Sequence, residues 1–200
     1  MSERRIPRRP SSQPPAAIEA LGERSHPIDE LHAAHESAAA LLHVGRAAED
    51  PAVTERLVAL VDDVGIEELA EVWARRPGRS LPGALYRLYL LREWTGADAE
   101  QVAREYAAGA FLAEPTHAVA GADPPGPDEV RRVADAILRG AFTGDFAIAL
   151  ERAAAFCQVV VLGRAELARH VGDLGKAGKL QQVARDLAAS AKLWRSGSLE

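Results

Sequence analysis

Apolar residues recur every three or four positions along almost the whole chain, and this spacing constrains the fold more than any other feature. Between 29 and 47, for example, Leu31, Ala34, Ala38 and Leu42 fall on one stripe of a helix. Alanine, the strongest helix former, occupies 40 of the 200 positions. No segment shows the sustained alternation of apolar and polar residues that a half-exposed strand requires. The sequence therefore predicts an all-α fold.

Three short polar residues stand where they can cap helices: Asp50 (which precedes Pro51), Ser80 and Asp145. A side-chain oxygen at such a position accepts a hydrogen bond from one of the first free N–H groups of a helix. In each case a periodic apolar segment follows directly. These signals divide the pattern into about eight or nine helices.

Glycines supply several of the expected helix ends. Gly96 and Gly163 each follow a long apolar segment, in the position where a glycine commonly ends a helix. The glycine-rich stretch 172–178 is expected to be an irregular connection. The helices bounded by these glycines are predicted at 81–95, 145–163, 164–171 and 178–195.

The segment 81–94 is the expected centre of the bundle. Nine of its fourteen residues are Leu, Ala, Tyr or Trp, and they are spread over nearly every side of the helix. A helix that is apolar all round is buried. We therefore predict a single domain over residues 16–195, packed around the helix 81–95.

The two ends of the chain differ from this domain. Residues 1–15 contain four prolines and the arginines Arg4, Arg5, Arg8 and Arg9, with a net charge of +3 against −8 for the remainder. Such a segment has too little apolar surface to offset the entropy of ordering, so we expect a disordered basic tail. Residues 196–200 are also expected to lack structure.

Cysteine content and hydropathy bear on the compartment. The single cysteine, Cys157, excludes an internal disulfide and a cysteine-rich zinc module. No apolar run reaches the roughly 18 residues of a membrane span, and no apolar segment follows the N-terminal arginines as in a secretory signal. A cytoplasmic protein is the expectation.

Four segments together resemble a family of all-helical actinobacterial proteins to which no activity is attached. The resemblance implies an all-helical fold for most of residues 16–165 and a GC-rich source, and it carries no catalytic or binding residue. The excess of 21 arginines over three lysines agrees with such a source. The segments are LHAAHE at 31–36, SLPGALYRLYLLREW at 80–94, PPGPDEVRRVADAIL at 124–138 and GDFAIALERAAAFC at 144–157.

A metal site is one hypothesis for the first long helix. His32, His35 and Glu36 lie within one helical turn and could share a metal ion. The alternative is that these histidines flank a buried stripe and bind nothing. Few of the further ligands that a metal site needs are identifiable in the sequence.

Two arginines in the central segment suggest an anion site. Arg92 falls among the leucines of the strongest apolar stripe, where a charge needs a carboxylate partner or a buried stem. An internal salt bridge is the favoured interpretation for Arg92. The alternative is an anion-binding arginine at the base of a pocket, with Arg87 as a second candidate.

A DNA-binding role is the main alternative for residues 66–94. The run Gly83–Arg87 resembles the segment that opens the recognition helix of TetR-type regulators, and it follows a helix and a short turn. The apolar character of 81–94 and the acidic body argue against this interpretation, since a recognition helix presents polar side chains to bases. The basic tail could add affinity for nucleic acid through counterion release.

Our leading hypothesis is a non-enzymatic protein that binds a protein partner or itself. No nucleophile–base set is recognisable, and Cys157 lies on an apolar helix face as a core thiol would. No cofactor is predicted. Trp73, Trp94 and Trp194 are candidate anchors of an exposed apolar face, and Trp194 is expected to be the most exposed.

Overall fold

The computed structural model of the chain describes residues 27–48, 50–113, 125–168 and 171–200. Nine helices account for most of these residues, and none of the described residues lies in a strand, which confirms the predicted all-α fold. The basic tail at 1–15 lies outside the described residues. In chain order the helices are α1 (Pro27–Ala47), α2 (Pro51–Val58), α3 (Leu60–Val64), α4 (Ile66–Trp73), α5 (Leu81–Ala97), α6 (Ala99–Ala110), α7 (Pro127–Thr143), α8 (Phe146–Leu167) and α9 (Val171–Arg195).

The three predicted caps form in the structure. Asp50 and Asp145 each accept a hydrogen bond from the backbone N–H two residues further on, at 2.9 and 2.8 Å. The Ser80 hydroxyl oxygen accepts one from the N–H three residues further on, at 3.3 Å. These bonds satisfy donors that the helix itself leaves free, and they fix where α2, α5 and α8 begin.

Helix α5 lies at the centre of the bundle, as its sequence predicts. It contacts α1, α4, α6, α7, α8 and α9. Leu85, Leu88 and Tyr89 on this helix are almost completely buried. Helix α7 shares the central position and packs against α5, α6 and α8.

Helices α6 and α8 pass each other at very short distance. A Cβ atom on Gly163 would lie 1.7 Å from the carbonyl oxygen of Glu105, and one on Gly109 would lie 1.9 Å from that of Val159. The two backbones can approach this closely because neither glycine has a side chain. The buried carboxylate of Glu105 joins the same two helices through the guanidinium of Arg164, with Oε2 2.7 Å from Nη2.

Several predicted helix ends are wrong, because glycines that looked like stop signals lie inside helices. Helix α5 continues through Gly96, and α8 continues through Gly163 to Leu167, so the helix break predicted between 163 and 164 is not there. The glycine-rich stretch 172–178 belongs to α9. A glycine inside a helix costs only about 1 kcal/mol, which the packing of a long apolar face outweighs.

The periodic apolar segment that follows the Asp50 cap is not one continuous helix. It forms two helices, α2 and α3, that meet at Ala59. The second of these ends at Gly65, whose φ of +92° is a conformation that favours glycine.

The C-terminal residues 196–200 are placed against the bundle, contrary to the expectation that they lack structure. Leu199 is buried, and the N–H of Leu81 donates a hydrogen bond to the carbonyl oxygen of Glu200 at 2.9 Å. Gly197 allows this return of the chain, because its φ of +67° lies in the left-handed region.

Helix α8 is also the one described helix long and apolar enough to cross a membrane by composition. Two thirds of the relevant stretch, Phe146–Glu166, is buried inside the bundle, as expected for a core helix of a globular protein.

Candidate functional site

An open groove lies between the first half of α1, the turn that leads into α5 and the C-terminal residues. Its volume is about 610 Å³, within the range of roughly 300–1,000 Å³ that is usual for ligand pockets. The groove brings together His32, His35 and Glu36, which the sequence singled out, with residues that are distant in the chain. The lining residues are Leu31, His32, His35, Glu36, Pro77, Arg79, Ser80, Pro82 and Glu200.

One wall of the groove comes from the way α1 packs. Ala34 and Ala38 are completely buried and hold the helix against its neighbours. Leu31 lies one turn before Ala34, in the same apolar stripe of the sequence. Its side chain is nevertheless 44% exposed. The helix therefore presents an apolar side chain, followed by two imidazoles, to the open side of the groove.

The opposite wall is a tight turn that the chain fixes before α5. The Ser80 hydroxyl donates a hydrogen bond to the carbonyl oxygen of Pro77 at 2.8 Å. A Cβ atom on Gly83 would lie 2.0 Å from that same oxygen, so only a glycine permits this approach of the turn to the helix. Pro77 and Pro82 thus form a wall with little conformational freedom.

Some charged side chains of the groove have an ion-pair partner in the described structure, and others do not. The guanidinium of Arg79 is held by Asp186 of α9, with Nε 3.0 Å from Oδ1. Glu36 is exposed and forms no salt bridge within the described part of the chain. The first ten residues of α1, Pro27–Glu36, contain three carboxylates and no lysine or arginine. Glu30 lies 3.7 Å from Arg76, so the carboxylates on the α1 side that form no salt bridge in the described structure are those of Asp29 and Glu36.

The metal-site hypothesis for His32, His35 and Glu36 stays a prediction, and the described residues do not support it. Among the described residues no three His, Cys, Asp or Glu side chains are arranged so that they could hold a metal ion. The three residues come from a single turn of one helix, and the other lining residues are Pro77, Arg79, Ser80, Pro82 and Glu200, of which only Glu200 carries a carboxylate. Metal sites need convergent donors from more than one direction.

Arg92 forms the internal salt bridge that its position in the apolar stripe favours. Its Nη1 and Nη2 atoms donate to the two oxygens of Asp62 at 2.9 and 2.8 Å, and its Nε donates to Asp135 at 2.8 Å. These bonds raise the pKa of Arg92 further and hold the pKa of Asp62 below its ordinary value. With two carboxylates bound, the guanidinium is unsuited to binding an anion.

Arg87 is also engaged with the protein. Its Nη1 donates to the carbonyl oxygen of Gly83 at 2.9 Å, and its Nη2 lies 3.8 Å from Asp186. Its Nε is buried without an acceptor in the described structure. Desolvation lowers the pKa of Arg87, and it lines none of the cavities described here.

None of the three tryptophans is an exposed anchor. Trp73 is 2% exposed, and its indole N–H donates to the Ser37 hydroxyl at 3.0 Å. Trp94 is half-buried, with the guanidinium of Arg164 5.4 Å from its ring centroid. Trp194 is half-buried as well, against the ring of Phe146. The guanidinium of Arg46 lies 5.0 Å from the Trp194 ring centroid, so contacts from α1 and α8 partly cover this side chain.

The segment that resembles a recognition helix is largely enclosed. Tyr86 and Arg87 are half-buried, and Tyr89 is completely buried. Leu90, 38% exposed, is an apolar side chain. Burial raises the pKa of Tyr86. This helix does not present the polar face that contacts with base edges require.

A smaller cavity of about 220 Å³ lies where α6 and α8 approach the start of α9. Glu105 and Arg164 line it, together with Arg104 and Lys176. Both oxygens of Glu105 accept from the Arg164 guanidinium, at 3.1 to 2.7 Å. Glu105 and Arg164 are therefore engaged in the ion pair that joins the helices, whereas Arg104 and Lys176 take no part in it.

The sequence identified one wall of the groove and missed the other. Pro77, Arg79 and Pro82 have no periodic relation to α1, so only tertiary packing places them opposite its histidines. One signal was present: the stripe of α1 begins with Ile28 and Leu31, two large apolar residues near a helix end, where full burial is hard to achieve.

Comparison of the chain with protein-family models, with curated proteins and with solved structures finds no match. The resemblance to an actinobacterial helical family stays a prediction.

Proposed function

We propose that this chain is a binding protein whose groove takes a short, extended, basic segment of another protein. The observation that supports this proposal is the combination of an apolar floor with an unpaired acidic side chain. Leu31 and Pro77 supply exposed apolar surface, and Glu36 supplies a carboxylate beside it. A segment that joins apolar or proline residues to arginines would match both features.

The length of the groove favours an extended ligand over a helical one. Along α1 the lining residues run from Leu31 to Glu36, a rise of about 8 Å. An amphipathic helix docks through anchors spread over at least seven residues, a rise of about 10 Å. The Cα atoms of three consecutive residues in an extended chain span only about 7 Å, so a short extended segment fits the available length.

Binding accounts for the groove better than catalysis does. The described titratable groups of the groove are two histidines, two glutamates and an arginine that is paired with Asp186. The one cysteine of the chain, Cys157, is buried away from the groove, and burial raises its pKa to about 12. We place the protein in the cytoplasm, consistent with its single free thiol.

Fluorescence anisotropy with a short labelled peptide of leucine, proline and arginine tests the proposal. We expect the full-length protein to bind this peptide, and to bind a counterpart with glutamate in place of arginine at least tenfold more weakly. Leu31→Lys removes apolar contact and adds repulsion, so it should weaken binding at least tenfold. Glu36→Gln should weaken it less and reduce its dependence on salt.

Matched substitutions at a distance control for nonspecific attraction to an acidic protein. Ile148→Lys changes a similarly exposed apolar residue, 51% against 44% for Leu31, on α8. Glu166→Gln removes an exposed carboxylate near the end of that helix. Equal binding by Leu31→Lys and Ile148→Lys would show that the groove is not the site.

A further inference from the structure

The N-terminal tail of this chain has the chemistry that the groove selects. Residues 4–10 read Arg-Arg-Ile-Pro-Arg-Arg-Pro, and two further prolines follow at Pro14 and Pro15. Pro7 and Pro10 have the Pro-x-x-Pro spacing of segments that adopt the polyproline II conformation, a preformed extended chain that docks in apolar grooves. We propose that this tail binds in the groove of its own molecule and competes there with partner proteins. This inference rests on the function proposed above and adds its regulation.

The point at which the chain enters the bundle supports this occupant. Helix α1 begins at Pro27, and its groove-lining residues start one turn later at Leu31. Residues 16–26 connect the tail to α1, and eleven residues reach about 36 Å when fully extended. Eight helical residues and three extended ones would still reach about 22 Å. Pro27 and Leu31 are only about 6 Å apart along the helix, so either reach brings the tail to the groove.

Charge complementarity supports the same occupant. The tail has a net charge of +3, and Pro27–Glu36 has three carboxylates and no lysine or arginine, with Glu30 lying 3.7 Å from Arg76. Asp29 and Glu36 form no salt bridge in the described structure. The one arginine of the groove, Arg79, is already paired with Asp186. Arginines of the tail would therefore meet uncompensated acidic groups on the α1 side.

Covalent connection makes such a contact effective even when its intrinsic affinity is low. A linker of this length gives an effective concentration in the millimolar range. A tail segment that binds with a dissociation constant near 0.1 mM would then occupy most grooves, and a competing ligand would bind about tenfold more weakly. A partner protein would have to displace the tail, so it would bind only at concentrations high enough to compete with the tail.

The test uses three full-length proteins and one probe, a fluorescein-labelled peptide with the sequence of residues 1–15. The first protein is the wild type. The second has serine in place of the tail arginines (Arg4→Ser, Arg5→Ser, Arg8→Ser and Arg9→Ser). The third is a control with the same change in net charge on exposed arginines of the bundle. Its substitutions are Arg56→Ser, Arg104→Ser, Arg152→Ser and Arg185→Ser.

We expect the probe to bind the tail variant about tenfold more tightly than it binds the wild type or the control. Addition of Leu31→Lys to the tail variant should abolish this gain. The difference should be independent of protein concentration, because the contact is within one molecule. If the difference in probe affinity between the tail variant and the wild type disappears when the wild-type protein is diluted, the tail binds to a second copy of the chain. That result would overturn the proposal.

The remaining outcomes separate the two proposals. If all three proteins bind the probe equally and Leu31→Lys abolishes binding, the groove binds basic segments but the tail does not occupy it. If the tail variant and the control gain equally, overall charge is responsible and the tail proposal fails. If none of the proteins binds the probe, or Leu31→Lys has no effect, both proposals fail.

Discussion

Replacing Gly163 with alanine tests the close contact between α6 and α8. The added Cβ would lie 1.7 Å from the carbonyl oxygen of Glu105, whereas real Cβ atoms essentially never come closer than 3.0 Å to another heavy atom. The obstructing atom is backbone, which cannot rotate away as a side chain can. The two helices must therefore separate by more than about 1 Å, and a close-packed interior transmits that displacement to its neighbours.

The expected cost follows from two opposing terms. Overpacking a core costs about 1–3 kcal/mol, and here the upper part of the range applies because helix backbones collide. Alanine recovers about 1 kcal/mol of helix propensity relative to glycine. We expect the free energy of unfolding to fall by about 2 kcal/mol, which lowers the melting temperature by about 4–8 °C in a chain of this size.

Urea unfolding followed by circular dichroism measures the effect, and two variants make it specific. Gly175→Ala changes a glycine of α9 where an added Cβ would meet nothing within 4 Å, and it should stabilise the protein by about 0.5–1 kcal/mol. Gly109→Ala obstructs the same crossing from α6. Once the helices have separated, the second alanine costs little, so the double variant should lose clearly less than the sum of the single losses.

Two results would refute this reasoning. If the Gly163→Ala protein is as stable as the wild type, the backbones of α6 and α8 are further apart than the structure places them. The distance of 1.7 Å between the added Cβ and the carbonyl oxygen of Glu105 would then be too short. Fully additive losses for Gly109→Ala and Gly163→Ala would mean that the glycines do not serve one shared contact.

Three further predictions concern buried and charged groups. Tyr89→Phe removes the hydroxyl that donates to the Leu57 carbonyl at 2.7 Å and should cost about 1–2 kcal/mol in urea unfolding, since the buried acceptor loses its partner. The hydrogen bond from Arg92 holds the pKa of Asp62 below its ordinary value, so its stabilisation is complete above about pH 4 and is lost as pH falls through the lowered pKa. The difference in unfolding free energy between wild type and Asp62→Asn should therefore shrink in acid, and a constant difference would contradict the ion pair. Burial raises the pKa of Cys157 to about 12, so a thiol reagent such as Ellman's reagent should label the protein in urea but not when it is native.

The fold class and the helix starts could be predicted from the sequence because local physics decides them. Periodic apolar residues specify helices, and Asp50, Ser80 and Asp145 satisfy the free N–H groups wherever they stand. The burial of α5 could be predicted in the same way, because apolar residues lie on nearly every side of this helix.

Helix ends could not be predicted as well, because glycine has two opposite uses. Gly163 looked like a stop signal, and its actual role is to let α8 approach α6 within van der Waals contact. That role depends on a helix about sixty residues away in sequence, which no local pattern reveals. The same holds for the tryptophans, since burial of Trp73 depends on its contacts with Ser37 and Tyr89.

The candidate site was half predictable. His32, His35 and Glu36 attracted notice as a cluster on one helical turn, and the structure places all three at the groove. Their chemistry could not be predicted, because a metal site needs donors from a second element and the sequence does not show that Pro77 and Pro82 lie opposite these residues. Which elements face each other is a property of the assembled bundle.

The central claim is that the groove on α1 binds a basic extended segment, and nuclear magnetic resonance of the histidine rings tests it most directly. His32 and His35 line the groove, whereas His43 is exposed on the same helix about 12 Å beyond His35. On titration of the full-length protein with the leucine–proline–arginine peptide, we expect the imidazole resonances of His32 and His35 to shift and that of His43 to stay unchanged. Stationary resonances at saturating peptide, or equal shifts at all three histidines, would contradict the claim.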